Sequence, residues 1–148
     1  MPDSVSDPFE PDRFVEAQKG VYETALGELQ DGQKRSHWMW FIFPQMAGLG
    51  SSSMARQYAI RSREEAKAYL QHPVLGPRLN EGPSALLRVE NRSAAEIMGF
   101  PDFMKLKSSM TLFAGVSEQP SLFSDVLKKF FDDQPDVRTI ALLRREEG

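Results

Sequence analysis

The stretch Ser36-His37-Trp38-Met39-Trp40-Phe41-Ile42-Phe43-Pro44-Gln45 decides how the rest of this 148-residue chain is read. It holds both tryptophans, two of the ten phenylalanines and one of the two histidines. Its aromatic and β-branched content suits a buried strand, but the apolar run from Trp38 to Phe43 is too short for periodicity to separate a strand from a buried helix. No other segment alternates polar and apolar residues clearly enough to pair with it. A lone strand leaves its backbone donors and acceptors unmet. The stretch therefore predicts a helix from about Lys34 to Phe41, broken ahead of Pro44, because proline disfavours helical backbone at the residue before it.

Working outward, the segments on both sides also read as helical. Residues 1–10 form a flexible N-terminal tail in this reading, with Pro2 and Pro8 opposing regular structure. A helix is expected from Pro11-Asp12, where proline and an acid suit the first turn, with Phe14, Ala17, Val21, Ala25 and Leu29 on one face and Gly32 as its stop. Gly20 and Gly27, two turns apart, can permit close packing there. After the aromatic block, Pro44, Gly48, Gly50 and Ser51-Ser52-Ser53 read as loop. Ser62 with Glu65 and Ser93 with Glu96 are capping-box pairs, the first ahead of Ala66, Tyr69 and Leu70, the second ahead of Ile97 and Met98. His72-Pro73 ends one helix and opens another toward Leu79 and, past Gly82-Pro83, Leu86 and Leu87. Pro101-Asp102 starts a helix that carries Phe103, Leu106, Met110 and Phe113 and ends at Gly115. Ser117 or Ser121 caps the next, with Leu122, Val126, Leu127, Phe130 and Phe131 as its stripe, and Thr139 to Leu143 carry a last short helix. The expected architecture is all-α: one compact domain over residues 11–148 built from six to eight short helices.

Composition excludes several function classes. Hydrophobic residues at 41% and charged residues at 26% are globular values, which argues against disorder. The chain has no cysteine, so disulfides, thiolate metal sites and thiol nucleophiles are out. That suits a cytoplasmic protein, as does the acidic, proline-bearing start, which is unlike a secretory signal. The apolar run at Trp38–Phe43 falls far short of the roughly 20 residues that span a bilayer. A net charge of −3 gives no general attraction to nucleic acid. Two histidines 35 positions apart leave little from which to build a metal site. Acids such as Glu96 and Asp102 sit at helix starts, where helix polarity accounts for them, so a catalytic carboxylate pair has no specific support.

Four features remain as site candidates, each with a structural alternative. His37 can serve as a general acid or base, or be a hydrogen-bonded core histidine. Ser36 beside it makes no dyad, since adjacent helical residues do not face each other. Trp38 and Trp40, two apart, cannot share a helical face; either both are core, or one lines a cleft and stacks a ring. Lys34 and Arg35, with the Gly/Ser loop at 48–53, suit an anion, although the spacing is not that of a P-loop and the loop can equally be a plain connector. Lys105, Lys107, Ser108, Ser109 and Thr111 crowd donors onto one helix, either to allow tight helix crossing or to face a polar cleft.

The run from Lys34 to Gln45, Gly48-Leu49-Gly50, Tyr58-Ala59-Ile60, Glu65-Ala66 through Tyr69-Leu70 to His72-Pro73, and Lys105 with Ser108 to Phe113 together resemble the DUF1810 family. The resemblance spans nearly all of the chain after residue 12. It implies a multihelical, bacterial-type domain without an assigned reaction. The order of an aromatic block, an acid-Ala-Lys helix and a Lys/Ser/Met/Phe helix is loosely similar to the NADAR family, helical N-glycosidases of ribosylated compounds such as ADP-ribose derivatives and riboflavin precursors. No catalytic residue carries over from it.

The combined expectation is a small-molecule site in a cleft between the 34–45 block and the 105–111 helix. Its ligand would be nucleotide-like, phosphorylated or ribosylated, with Lys34, Arg35, Lys107, Ser108, Ser109 and Gln45 as polar contacts and Trp38 or Trp40 as the stacking surface. His37 is the candidate catalytic group if the site turns its ligand over, and no cofactor is expected. The alternative is a non-catalytic protein-interaction module whose aromatic block is only core.

Overall fold

Residues 8–147 are described by the computed structural model, the Glu147 side chain excepted, so residues 1–7 of the expected tail lie outside the described residues. Ten helices occur among the described residues, and no β-strand. In order they are α1 (Asp12–Gln18), α2 (Tyr22–Gln30), α3 (Met39–Ile42), α4 (Ser53–Gln57), α5 (Arg63–Gln71), α6 (Leu75–Arg88), α7 (Ala94–Met98), α8 (Asp102–Gly115), α9 (Leu122–Phe130) and α10 (Val137–Glu147). None is long and apolar enough to cross a membrane.

The helical class is as the sequence predicts, but ten helices replace the expected six to eight. The first expected helix is two. Gly20 takes a left-handed φ of 71° between α1 and α2, a conformation glycine adopts without a Cβ penalty. A Cβ on Gly20 or Gly27 would meet nothing within 4 Å, so neither serves close packing. A short helix also forms in the Gly/Ser segment, where the Ser52 hydroxyl accepts the Ala55 amide at 3.1 Å. As expected from the sequence, one helix runs past Gly82-Pro83, with Pro83 accommodated inside a continuous α6. Gly82 matters there for packing: a Cβ at this position would lie 3.0 Å from the Phe43 ring, so the helix backbone rests directly on the aromatic block.

The helix expected over 34–41 shrinks to Met39–Ile42. The amides that would start it are taken by groups outside the segment. Lys34 N–H donates to the Ile97 carbonyl at 2.7 Å, and the amides of Arg35 and Ser36 donate to the Glu28 carboxylate at 2.8 and 3.1 Å. Backbone groups satisfied in this way do not need a helix.

The two capping-box pairs diverge. Ser93 and Glu96 form both reciprocal bonds. Ser62 accepts the Glu65 amide at 3.0 Å, but the Glu65 carboxylate turns away to the Arg61 amide and to Arg13. Ser121, with Ser124 as its reciprocal partner, caps α9.

The core is organised on α8, where Leu106 and the run from Ser108 to Ala114 are buried. Helices α5, α7, α9 and α10 pack against it, and α6 joins α2, α5 and α9. The aromatic block threads into this assembly with Trp38, Met39, Phe41, Ile42 and Phe43 all buried.

Candidate functional site

The two ends of the aromatic block have different surroundings. At the Trp38 end, Glu28 is a buried hub. Its carboxylate accepts the amides of Arg35 and Ser36, the Ser36 hydroxyl at 2.6 Å and the Trp38 indole N–H at 2.9 Å. Burial alone pushes the Glu28 carboxyl upward and is the largest single influence. The donors from Ser36, Arg35 and Trp38 together outweigh it and hold the group down to about 2. Lys34 is enclosed beside them with its side chain only 6% exposed. Its ammonium bonds Asp102 at 2.8 Å and the Ser36 carbonyl at 2.6 Å, and lies 4.8 Å from the centre of the Trp38 ring. Arg35 points outward and pairs with Asp31 across an exposed 3.1 Å contact. His37 is exposed.

At the other end, Trp40 is half-buried and lines a cavity of about 220 Å³. Gln45, Met46, Ala47, Gly48, Gly50, Ala55, Arg56, Tyr58, Ala59 and Arg61 complete its wall. This wall is the part of the chain where the sequence shows a Gly/Ser loop, followed by α4 and the Tyr58-Ala59-Ile60 run. Two backbone bonds across a parallel bridge at Met46 and Ile60 hold its sides together: Ile60 N–H to the Gln45 carbonyl at 2.8 Å, and Ala47 N–H to the Ile60 carbonyl at 2.7 Å. Gly48, at a φ of 101°, needs glycine. At Gly50 an added Cβ would fall 2.7 Å from that of Ala55, so the loop is pressed onto α4.

Arg13 braces the same wall from behind. Its guanidinium donates to the carbonyls of Gln57 and Ala59 at 2.9 and 2.8 Å and to Glu65 at 2.7 Å. Glu65 is buried and also accepts the Arg61 amide at 2.9 Å. The rings of Phe14 and Phe41 pack on Tyr58 with centroids 5.7 and 5.4 Å away. Tyr58 is thereby set by the core while it contributes to the cavity.

Of the residues singled out in the sequence, Trp40 and Gln45 line this cavity, and Lys34, Arg35, His37, Trp38, Lys107, Ser108 and Ser109 do not. The α8 hydroxyls are turned inward. Ser108 donates to the Met104 carbonyl at 3.3 Å, and Thr111 to the Lys107 carbonyl at 2.8 Å while accepting the Asp136 amide. Ser109 is fully buried, and its hydroxyl has no hydrogen-bond partner among the described residues. On α8, the ammonium of Lys105 lies 5.6 Å from the Trp40 ring centre. Arg56, Tyr58 and Arg61 are lining residues that the sequence reading missed. Their signal was an aromatic residue flanked by two arginines directly after the Gly/Ser loop. Among the described residues, no group of three or more His, Asp or Glu is placed to hold a metal ion.

A family model described as "Protein of unknown function (DUF1810)" matches residues 8–143. The chain is also similar to a conserved hypothetical protein from Mycobacterium tuberculosis known from a crystal structure. The two are 52% identical, with a TM-score of 0.91, over 93% of this chain and 99% of that one. No curated protein matches.

Proposed function

The chain belongs to the DUF1810 family of proteins of unknown function, and on that premise we propose that it binds a phosphorylated or ribosylated small molecule in the Trp40 cavity, as a cytoplasmic single-domain protein. One observation carries the reading: two ring residues, Trp40 and Tyr58, and two arginines, Arg56 and Arg61, line one cavity. Aromatic side chains stack planar ligands, and guanidinium groups form bidentate bonds with anionic oxygens. Among the described residues the lining contains no carboxylate and no imidazole, which favours binding over the glycosidic hydrolysis that similarity to the NADAR family would imply.

The test is a thermal-shift panel of nucleotides, flavin mononucleotide and ADP-ribose. A ligand at 100-fold above its Kd stabilises by about 2.7 kcal/mol, a rise of roughly 5–10 °C for a chain of this size. A hit should be weakened by Trp40→Ala and Arg56→Ala more than by Lys107→Ala. The reverse order would move the site to the α8 wall.

A second reading, a protein-interaction module, draws on Phe100 and Met104, which are 78% and 53% exposed beside Phe103. It gains ground if no small molecule shifts the melting temperature and Phe100→Asp abolishes capture of a partner that the unaltered chain retains.

A further inference from the structure

Building on the reading of the Trp40 cavity as a ligand site, we infer that its ligand is a phosphomonoester carrying a single planar ring system, for which a pyrimidine nucleoside 5′-monophosphate is the model, rather than a molecule of dinucleotide size.

The charge argument rests on the two arginines. The Arg56 side chain makes no ion pair or hydrogen bond among the described residues. Arg61 is held only loosely. Its Nε lies 3.5 Å from Glu65, and its side chain is 56% exposed. Glu65 does not depend on that contact, because Arg13 at 2.7 Å and the Arg61 amide at 2.9 Å already occupy its oxygens. The Arg61 guanidinium can therefore turn to a ligand without leaving a buried carboxylate unmet. Two adjustable forks suit a terminal phosphate, which presents three acceptor oxygens and carries nearly two charges at neutral pH. A phosphodiester or pyrophosphate link offers one charge per phosphorus and is a poorer match.

The size argument rests on the walls. A volume of about 220 Å³ lies below the roughly 300–1,000 Å³ of pockets that enclose drug-sized ligands. The bridge at Met46 and Ile60, the Gly50–Ala55 contact and the Arg13 brace oppose expansion. One ring between Trp40 and Tyr58 with one phosphate at the arginines fills such a space. ADP-ribose, with a second ribose and a pyrophosphate, exceeds it and would have to extend beyond the open side of the cavity.

The experiment is isothermal titration of the full chain with uridine 5′-monophosphate, uridine and ADP-ribose at low ionic strength. The expected order is the monophosphate first, with uridine and ADP-ribose each weaker by about tenfold or more. Arg56→Ala and Arg61→Ala should each weaken the monophosphate about tenfold while leaving the melting temperature of the free protein unchanged. Affinity should also fall between pH 7 and pH 5 as the phosphate, with a second pKa of about 6, gains a proton. ADP-ribose binding as tightly as the monophosphate, and sensitive to Arg56→Ala, would overturn the size inference and leave the cavity as the site. Uridine binding as tightly as the monophosphate would overturn the phosphate assignment alone. Monophosphate binding indifferent to both arginine variants and to Trp40→Ala, or no binding by any of the three, would overturn the inference together with the site.

Discussion

Trp38 and Trp40 are two residues apart and chemically identical, yet they occupy opposite kinds of environment. Trp38 is 0% exposed, its indole N–H is bound to Glu28, and the enclosed ammonium of Lys34 lies over its ring. Trp40 also has an ammonium near its ring, that of Lys105 at 5.6 Å, but its indole N–H has no partner among the described residues, and it shares a cavity with arginines and backbone. The difference arises at the start of α3: Trp38 is the N-cap residue, with a non-helical φ of −146°, whereas Trp40 lies inside the first turn of the helix, so the two side chains leave the backbone in different directions. The comparison teaches that aromatic density marks a junction between core and cavity, and that the polar partners decide which end is which. Glu28 closes one end; at the other, Arg56 and Arg61 line an open cavity.

The largest effect is expected at the closed end. Trp38→Ala should cost about 3–5 kcal/mol by loss of transfer energy and creation of a cavity, lowering the melting temperature by roughly 10–15 °C in calorimetry. A loss as small as that of Trp40→Ala would erase the distinction between the two rings.

Glu28 gives a pH-dependent version of the same contrast. Its carboxyl is lowered from 4.5 unfolded to about 2 folded. Its contribution is therefore fully present above about pH 4.5 and is lost as pH falls through 2, amounting to about 3 kcal/mol. Glu28→Gln should be less stable than the unaltered protein by up to that amount at pH 7, with the gap closing toward pH 2 in denaturant titrations. A gap independent of pH would mean that charge plays no part in the hub.

At the open end, Trp40→Ala should lower stability by only about 1–2 kcal/mol, as for a partly buried side chain, while weakening nucleotide monophosphate binding roughly tenfold or more. Equal retention of binding would remove the ring from the site. His37→Ala is the smallest effect expected: a change within about 0.5 kcal/mol, as for an exposed residue, with binding intact. If His37→Ala abolished ligand binding with the fold unaltered, the functional end of the block would be the Trp38 end.

Most helices were legible because their determinants are local. Ser93 and Glu96 cap α7 through residues three apart, and the stripe from Leu122 to Phe130 needs only its own periodicity. Some misreadings were local, such as the break at Gly20 and the short helix capped by Ser52, but those around the aromatic block and Ser62 involve partners distant in sequence. Nothing within 34–41 announces that Ile97 and Glu28 take its amides. Nothing near Ser62 announces that Arg13 draws the Glu65 carboxylate away from its capping role. The site was half legible. Trp40, Gln45 and the Gly/Ser loop stood out by composition, whereas Arg56 and Arg61 look like ordinary surface charges until the bridge at Met46 and Ile60 folds them against Trp40.

The sequence by itself determined that this chain is helical, that it has no cysteine chemistry, and that residues 34–50 are its most distinctive region. Caps, breakers and apolar periodicity act within a few residues, and so they can be read from the sequence directly. Tertiary structure decided which tryptophan is sealed and which wall faces the open one. Those outcomes depend on hydrogen bonds to Glu28, Ile97 and Glu65 and on the packing of Gly82 and Gly50, contacts between residues that only the folded chain brings together.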